Sequence, residues 1–228
     1  MNTQASALLL AGADEAADLG GYLTRLLRFD KAAAVRVVAS GSAIGVYGRP
    51  PFDVLTLRTV ALGPGGPASE ADQDLADLAA EVDVTVSAGD LLHAIADDGS
   101  LALPRPLAGA TAWTGFLPPR AGWQTVGELP VAEVETAALA GIADFKAQAE
   151  AIPDQRRTRA AVDRIAAEIW DQPLTFGLPV RAAHAARAMA FLGQAQSASA
   201  VVRTAGRWLR LDAPFGTVVV RTGSGLLA

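Results

Sequence analysis

The chain of 228 residues has no cysteine, two histidines and, among its 19 basic residues, only two lysines, Lys31 and Lys146. Without cysteine there is no disulfide framework, no thiolate nucleophile and no cysteine-ligated metal. That usage fits a reducing compartment, so a cytoplasmic protein is expected. No apolar run approaches the ~18–20 residues of a membrane helix. The opening MNTQASALLLAGADE lacks the basic n-region of a signal peptide, so no export and no membrane partner are expected. Two catalytic signatures are also missing: the Gly-Lys-Ser/Thr of a P-loop and the G-x-S-x-G of a nucleophile elbow.

What is present is apolar and unevenly charged. Hydrophobic residues make up 51% and charged residues 19% of the chain, which excludes a disordered protein. A chain of this size buries roughly 70–75% of its unfolded surface. The formal net charge is −5, but residues 63–150 alone carry −11 and residues 151–228 carry +5. An acidic middle and a mildly basic last third attract partners of opposite sign, or each other.

Leu19, Leu23, Leu26 and Leu27 fall at helical spacing in DEAADLGGYLTRLLRFD (14–30). AVRVVA, AIGVYG and DVLTLRTVAL follow, three β-branched runs separated by a Ser-Gly-Ser turn and a Pro-Pro step. After the break GPGGP, an acidic helix is expected behind Ser69. A short strand VDVTV follows, then a helix over 87–99 with Ser87 and Asp90 as its capping box and Gly99 as its stop. Residues 100–130 carry five prolines and read as a long loop or concealed short strands. Helices are expected over 131–150, 156–171 and 180–193, and three strands, ASAVVRTA, RWLRLDA and GTVVVRT, close the chain.

YGRPPFDVLTLRT (47–59) and RLDAPFGTVVVRT (210–222) look alike. Pro51-Phe52 and Arg58-Thr59 fall on Pro214-Phe215 and Arg221-Thr222 at one offset, and helix, strand, turn, strand, Pro-Phe, strand occurs in that order twice. The expected fold is therefore α+β: two α-β-β-β repeats at the chain ends, 14–62 and 180–222, forming antiparallel sheet, with a helical insertion over 63–172. One interwoven domain over 1–228 is expected, since a three-stranded sheet with one helix is marginal alone. Its pseudo-twofold pairing would create a groove, the kind of place where ligands bind.

Gly63-Pro64-Gly65-Gly66-Pro67-Ala68 fits G-x-G-x-x-A. Pro64 and Pro67 remove N–H donors, and Glu70, Asp72 and Asp74 put negative charge where a pyrophosphate would lie. The stretch reads as a turn, and no cofactor is expected. Asp90, His93 and Asp97, three and four apart, are a weak metal or acid–base set on one helix face. Their plainer reading is an exposed ion-pair face. His184 stands in an alanine-rich helix as a surface or packing residue.

WTGFLPPRAGWQ (113–124) is the most unusual stretch. Trp113, Phe116 and Trp123 offer stacking faces and Arg120 a fork for carboxylate or phosphate, so these four residues are the first candidates for a ligand site. The plainer reading is a loop pinned to the core by its tryptophans. Arg203, Arg207, Arg210 and Arg221 in the closing strands line an outer face or pair with the acidic middle.

Three functions follow in order. The first is a non-enzymatic cytoplasmic protein that binds a protein or small-molecule partner at the interface of the repeated halves, with a homodimer compatible. The second is a DNA-binding regulator using the basic last third, against which the acidic composition counts. The third is an enzyme with a site near Arg120 and His93.

Overall fold

A computed structural model describes residues 7–63, 82–109, 112–194 and 197–223. The acidic helix expected behind Ser69, and all of the glycine loop but Gly63, lie outside the described residues. The chain divides into two compact units, one of Met1–Pro51 with Leu55–Leu117, the other of Phe52–Val54 with Pro118–Ala228. Both are α+β with antiparallel sheet.

The first unit contains β1 (Ala7–Leu9), α1 (Ala13–Phe29), β2 (Ala34–Ser40), β3 (Ala43–Gly48), β4 (Leu55–Ala61), β5 (Asp83–Ser87), α2 (Ala88–His93) and β6 (Ser100–Ala102). β1 and β6 pair with each other, and the main sheet runs β5-β2-β3-β4. Strand alternation sends Val35, Val37, Ile44 and Val46 to the buried face. The apolar stripe of α1 supplies Leu19, Tyr22, Leu23 and Leu26 to the core. The Tyr22 hydroxyl shares a 3.0 Å hydrogen bond with Thr56 Oγ1, so this buried phenol keeps a partner. Burial pushes its pKa upward.

The second unit contains β7 (Gln124–Pro130), α3 (Val131–Glu150), α4 (Arg159–Trp170), α5 (Val180–Ala188), β8 (Ser199–Ala205), β9 (Trp208–Ala213) and β10 (Gly216–Arg221). Its strands run β7-β8-β9-β10. The small residues Ala182, Ala183, Ala185 and Ala186 are buried, which lets α5 pack closely against α3 and β10.

Each unit thus has a helix, a three-strand meander, and a fourth strand that pairs with the first strand of the meander and runs directly into a helix. The first hairpin of each meander turns on a glycine with φ +58, Gly41 and Gly206, a conformation that favours glycine at the first central position of a two-residue turn. At the other end, the Ala88 N–H donates to the Ala33 carbonyl at 2.9 Å, and the Val131 N–H to the Ala198 carbonyl at 2.8 Å. The chain order differs: β5–α2 follows its meander, whereas β7–α3 precedes its own.

The equal spacing of the Pro-Phe and Arg-Thr pairs does not carry into the ladders. Pro51-Phe52 sits in a connection that spans 49–54, whereas Pro214-Phe215 alone joins β9 to β10. Arg58 lies opposite Val46, in mid-ladder, while Arg221 lies opposite Trp208, at the end of its ladder. The helix expected over 87–99 also ends early, at His93. Residues 96–100 instead close a turn into β6, with the Ala96 N–H on the Ser100 carbonyl at 2.9 Å. Within 100–130 lie β6, a 3-10 turn over Ala112–Gly115, and β7. No helix among the described residues is long and apolar enough to cross a membrane.

Candidate functional site

In the second unit, strand alternation sorts apolar from polar side chains. Val202, Leu211 and Val218 stand in one cross-strand row and are buried. Arg203, Arg210, Asp212, Thr217 and Arg221 occupy the alternate positions and project from the other face. The two-residue hairpin at Gly206-Arg207 sets Arg203 directly opposite Arg210. Like charges at opposed positions repel. Asp212, two residues beyond Arg210 on the same face, resolves the conflict. It accepts from Arg203 Nε at 2.9 Å, from Arg210 Nε at 2.6 Å and from Thr217 Oγ1 at 2.8 Å.

Because both arginines reach Asp212 through Nε, the terminal nitrogens of both forks stay available among the described residues. The side chains of Arg203, Arg210 and Asp212 are 38%, 29% and 20% exposed, so the network is neither buried nor fully washed by solvent. Trp123 lies beneath the Arg210 guanidinium, 5.5 Å from its ring centroid. Its indole N–H donates to the Pro119 carbonyl at 2.8 Å, which fixes the ring. Arg221 lies 6.0 Å from the centroid of Trp208, its cross-strand neighbour. Three arginines and two carboxylates thus share this face, the second carboxylate being Glu128 opposite Val201. Its chemistry is that of a rigid, weakly cationic, aromatic-bordered surface.

Of the four residues expected to form a ligand site, Trp113 and Phe116 belong to the first unit, Arg120 and Trp123 to the second. Trp113 is buried and Phe116 exposed. Beside Trp113, the Thr114 carbonyl accepts from Arg36 Nη1, and Arg36 Nε pairs with Asp83 at 2.6 Å. That pairing raises the Arg36 pKa. Arg120 is exposed. Trp123 stands within the arginine network.

The shared face expected for Asp90, His93 and Asp97 does not form. The Ala94 N–H closes the helix on the Asp90 carbonyl, so Asp97 lies beyond it, in the turn that leads to β6. No group of three or more His, Asp or Glu side chains among the described residues could hold a metal ion.

Sequence reasoning treated the strand arginines as a set and missed their carboxylate. The signal was present in the spacing R-T-A-G-R-W-L-R-L-D. A two-residue turn on Gly206 fixes 203 opposite 210, and Asp212 then shares their face. It likewise assigned His184 no role beyond packing or surface. Its ring stacks on Trp170 at 4.7 Å and meets Phe52 edge-on at 4.7 Å. Burial, helped by Arg187, holds its pKa below the ordinary imidazole value, and its buried Nδ1 has no hydrogen-bond partner among the described residues. Arg181 beside it pairs with Asp171.

Residues 3–115 match the model of a domain of unknown function, DUF8010, and residues 118–225 that of another, DUF8185. The boundary between the two matches falls where the two structural units divide. No curated protein and no solved structure matches the chain.

Proposed function

We propose that the chain is a non-enzymatic cytoplasmic binding protein, and that the arginine-bearing sheet face of its second unit takes a small anionic ligand with a flat apolar part. One observation carries this reading: Arg203 and Arg210 are held side by side by Asp212, with their fork ends left over, next to the anchored ring of Trp123. Guanidinium forks match carboxylate and phosphate oxygens in geometry, and an indole face stacks on planar groups. Pre-organisation supports binding, because arginines already fixed lose little freedom when a ligand arrives.

The test is a tryptophan-fluorescence titration with three probes: inorganic phosphate, benzoate and adenosine monophosphate. Saturable quenching by at least one probe, weakened about ten-fold or more by Arg203→Gln, is the expected result. No saturable change with any probe overturns the reading. A single-stranded oligonucleotide that binds where all three small probes fail would favour the nucleic-acid alternative instead, since stacking platforms with basic residues hold single strands.

We also infer that the two units descend from one six-element ancestor, with one copy circularly permuted. The matching glycine turns and the matching Ala88–Ala33 and Val131–Ala198 hydrogen bonds support that descent.

A further inference from the structure

A second site, independent of the sheet face, lies where α3 hands over to α4. A cleft of about 390 Å³ there is lined by the apolar Ile152, Pro153 and Ile165 and by the polar Gln148, Arg156 and Arg164. That volume lies within the range of small-ligand sites. The local basic cluster comprises Arg156, Arg157, Arg159 and Arg164. Two of the four are occupied: Arg157 Nη2 donates to the Ala149 carbonyl at 2.8 Å, and Arg159 pairs with Asp163 at 3.7 Å. The two that line the cleft, Arg156 and Arg164, meet no carboxylate among the described residues.

The helix beside them sharpens the point. A helix N-terminus favours negative charge and disfavours positive charge. The first turn of α4 nevertheless contains no acidic residue and begins with Arg159. Thr158 Oγ1 satisfies one N–H, that of Ala161, at 3.2 Å. Two unneutralised guanidiniums, the positive end of a helix and an apolar lining therefore converge on one cleft, in a chain whose net charge is −5. Such an arrangement suits an anion.

We propose that this cleft binds an oxyanion-headed amphiphile, a carboxylate or phosphate on a short alkyl or aryl body. Arg156 and Arg164 hold the head, and Ile152, Pro153 and Ile165 receive the body.

Isothermal titration of the full chain with four probes tests it: octanoate, octyl phosphate, octanol and inorganic phosphate. The expected result is one saturable site for at least one of the two headed amphiphiles. Octanol and free phosphate should bind about ten-fold more weakly or not at all, because each supplies only half of the recognition. Arg156→Gln with Arg164→Gln should weaken amphiphile binding about ten-fold or more, while Arg203→Gln leaves it unchanged, separating this cleft from the sheet face. Both arginines of the cleft are exposed, so the double variant should keep the parent's circular dichroism and melting point. Octanol binding as well as octanoate, or headed probes that ignore the double substitution, overturns the proposal. So does binding confined to vesicles of anionic lipid with none to the monomeric probes, which would make the cleft part of a membrane-surface contact.

Discussion

His184 is the residue with the most to reveal under titration. Its ring lies between Trp170 and Phe52, half-removed from water, with Arg187 adding like charge. Both effects disfavour the imidazolium, so the folded-state pKa is depressed below the unfolded value of about 6.5. As pH falls below that value, the unfolded chain takes up a proton that the folded chain refuses. The stability that neutral His184 contributes is therefore complete above about pH 6.5 and is lost as pH falls toward the depressed folded pKa. His184→Phe keeps a flat ring in the same slot and removes the proton. Urea midpoints measured from about pH 7.5 to about pH 5 should fall less steeply in this variant than in the parent; equal slopes would show that the imidazole is not the group responsible. Two glycines make a steric prediction of the same kind. A Cβ on Gly48 would lie 2.5 Å from the Tyr22 hydroxyl and 2.8 Å from Leu26, and one on Gly216 would lie 2.5 Å from the Phe191 ring. Gly48→Ala and Gly216→Ala should each destabilise by about 1–3 kcal/mol, the usual penalty for overpacking a filled site. Gly115, with nothing within 4 Å of its Cβ position, is the control. Its alanine variant should stay within about 0.5 kcal/mol of the parent in chemical denaturation.

The β8–β9 hairpin holds two opposed arginines on one carboxylate, which makes Asp212 a structural residue as well as part of the ligand face. Asp212→Asn removes the charge but keeps the shape, leaving Arg203 and Arg210 to repel each other. A loss of about 1 kcal/mol is expected, since the pairs are partly exposed. The loss should be larger at about 20 mM salt than at about 0.5 M, where screening weakens the repulsion. Adding Arg203→Ala should recover part of it, which a double-mutant cycle reads directly. The hairpin also shows what the sequence discloses. Strands β2, β3, β8 and β9 were legible because apolar residues recur at alternate positions on either side of Ser-Gly-Ser and Ala-Gly-Arg. Strand β7 was hidden. In Gln124–Pro130 only Leu129 is buried, a register shift between Thr125 and Gly127 breaks the two-residue period, and a terminal proline reads as a loop. The end of α2 was misplaced because Asp97 continues the helical spacing, whereas the chain turns after Ala94 to bring Ser100 into β6. The aromatic loop was legible only as composition: nothing in WTGFLPPRAGWQ says that Trp123 meets an arginine 87 positions away, on β9. The Pro-Phe echo marked the second connection of each meander, β3–β4 and β9–β10, but not a common position in the ladders. Equal spacing along the chain is not equal position in a ladder when one connection is longer than the other.

Two compact units, each with a run of four antiparallel strands and its own helices, should each fold from their own stretch of chain. Residues 1–117 contain strands β1 to β6 and the core set Leu19, Tyr22, Leu23, Leu26, Val35, Val37, Ile44 and Val46. Expressed alone, this fragment should give a single cooperative urea transition with an m-value near half that of the full chain, because m follows the surface exposed on unfolding. Residues 118–228 face a specific deficit. Phe52–Val54 belongs to the second unit although it comes from the first half of the sequence, and it brings Phe52 against the His184 ring and Asp53 near Arg181. A fragment beginning at 118 lacks both. It should fold with lower stability than the same unit has in the full chain, and its His184 should titrate closer to the ordinary imidazole value, since part of the desolvation is gone. Phe52→Ala in the full chain separates loss of this ring from loss of the whole first half. If the alanine variant moves the His184 titration, followed by proton NMR, as far as the truncation does, the three-residue segment is what the second unit borrows. If the truncation moves it and the alanine does not, the burial of His184 depends on more than Phe52. If residues 1–117 give no cooperative transition, the division of the chain near 117 is not a division in folding.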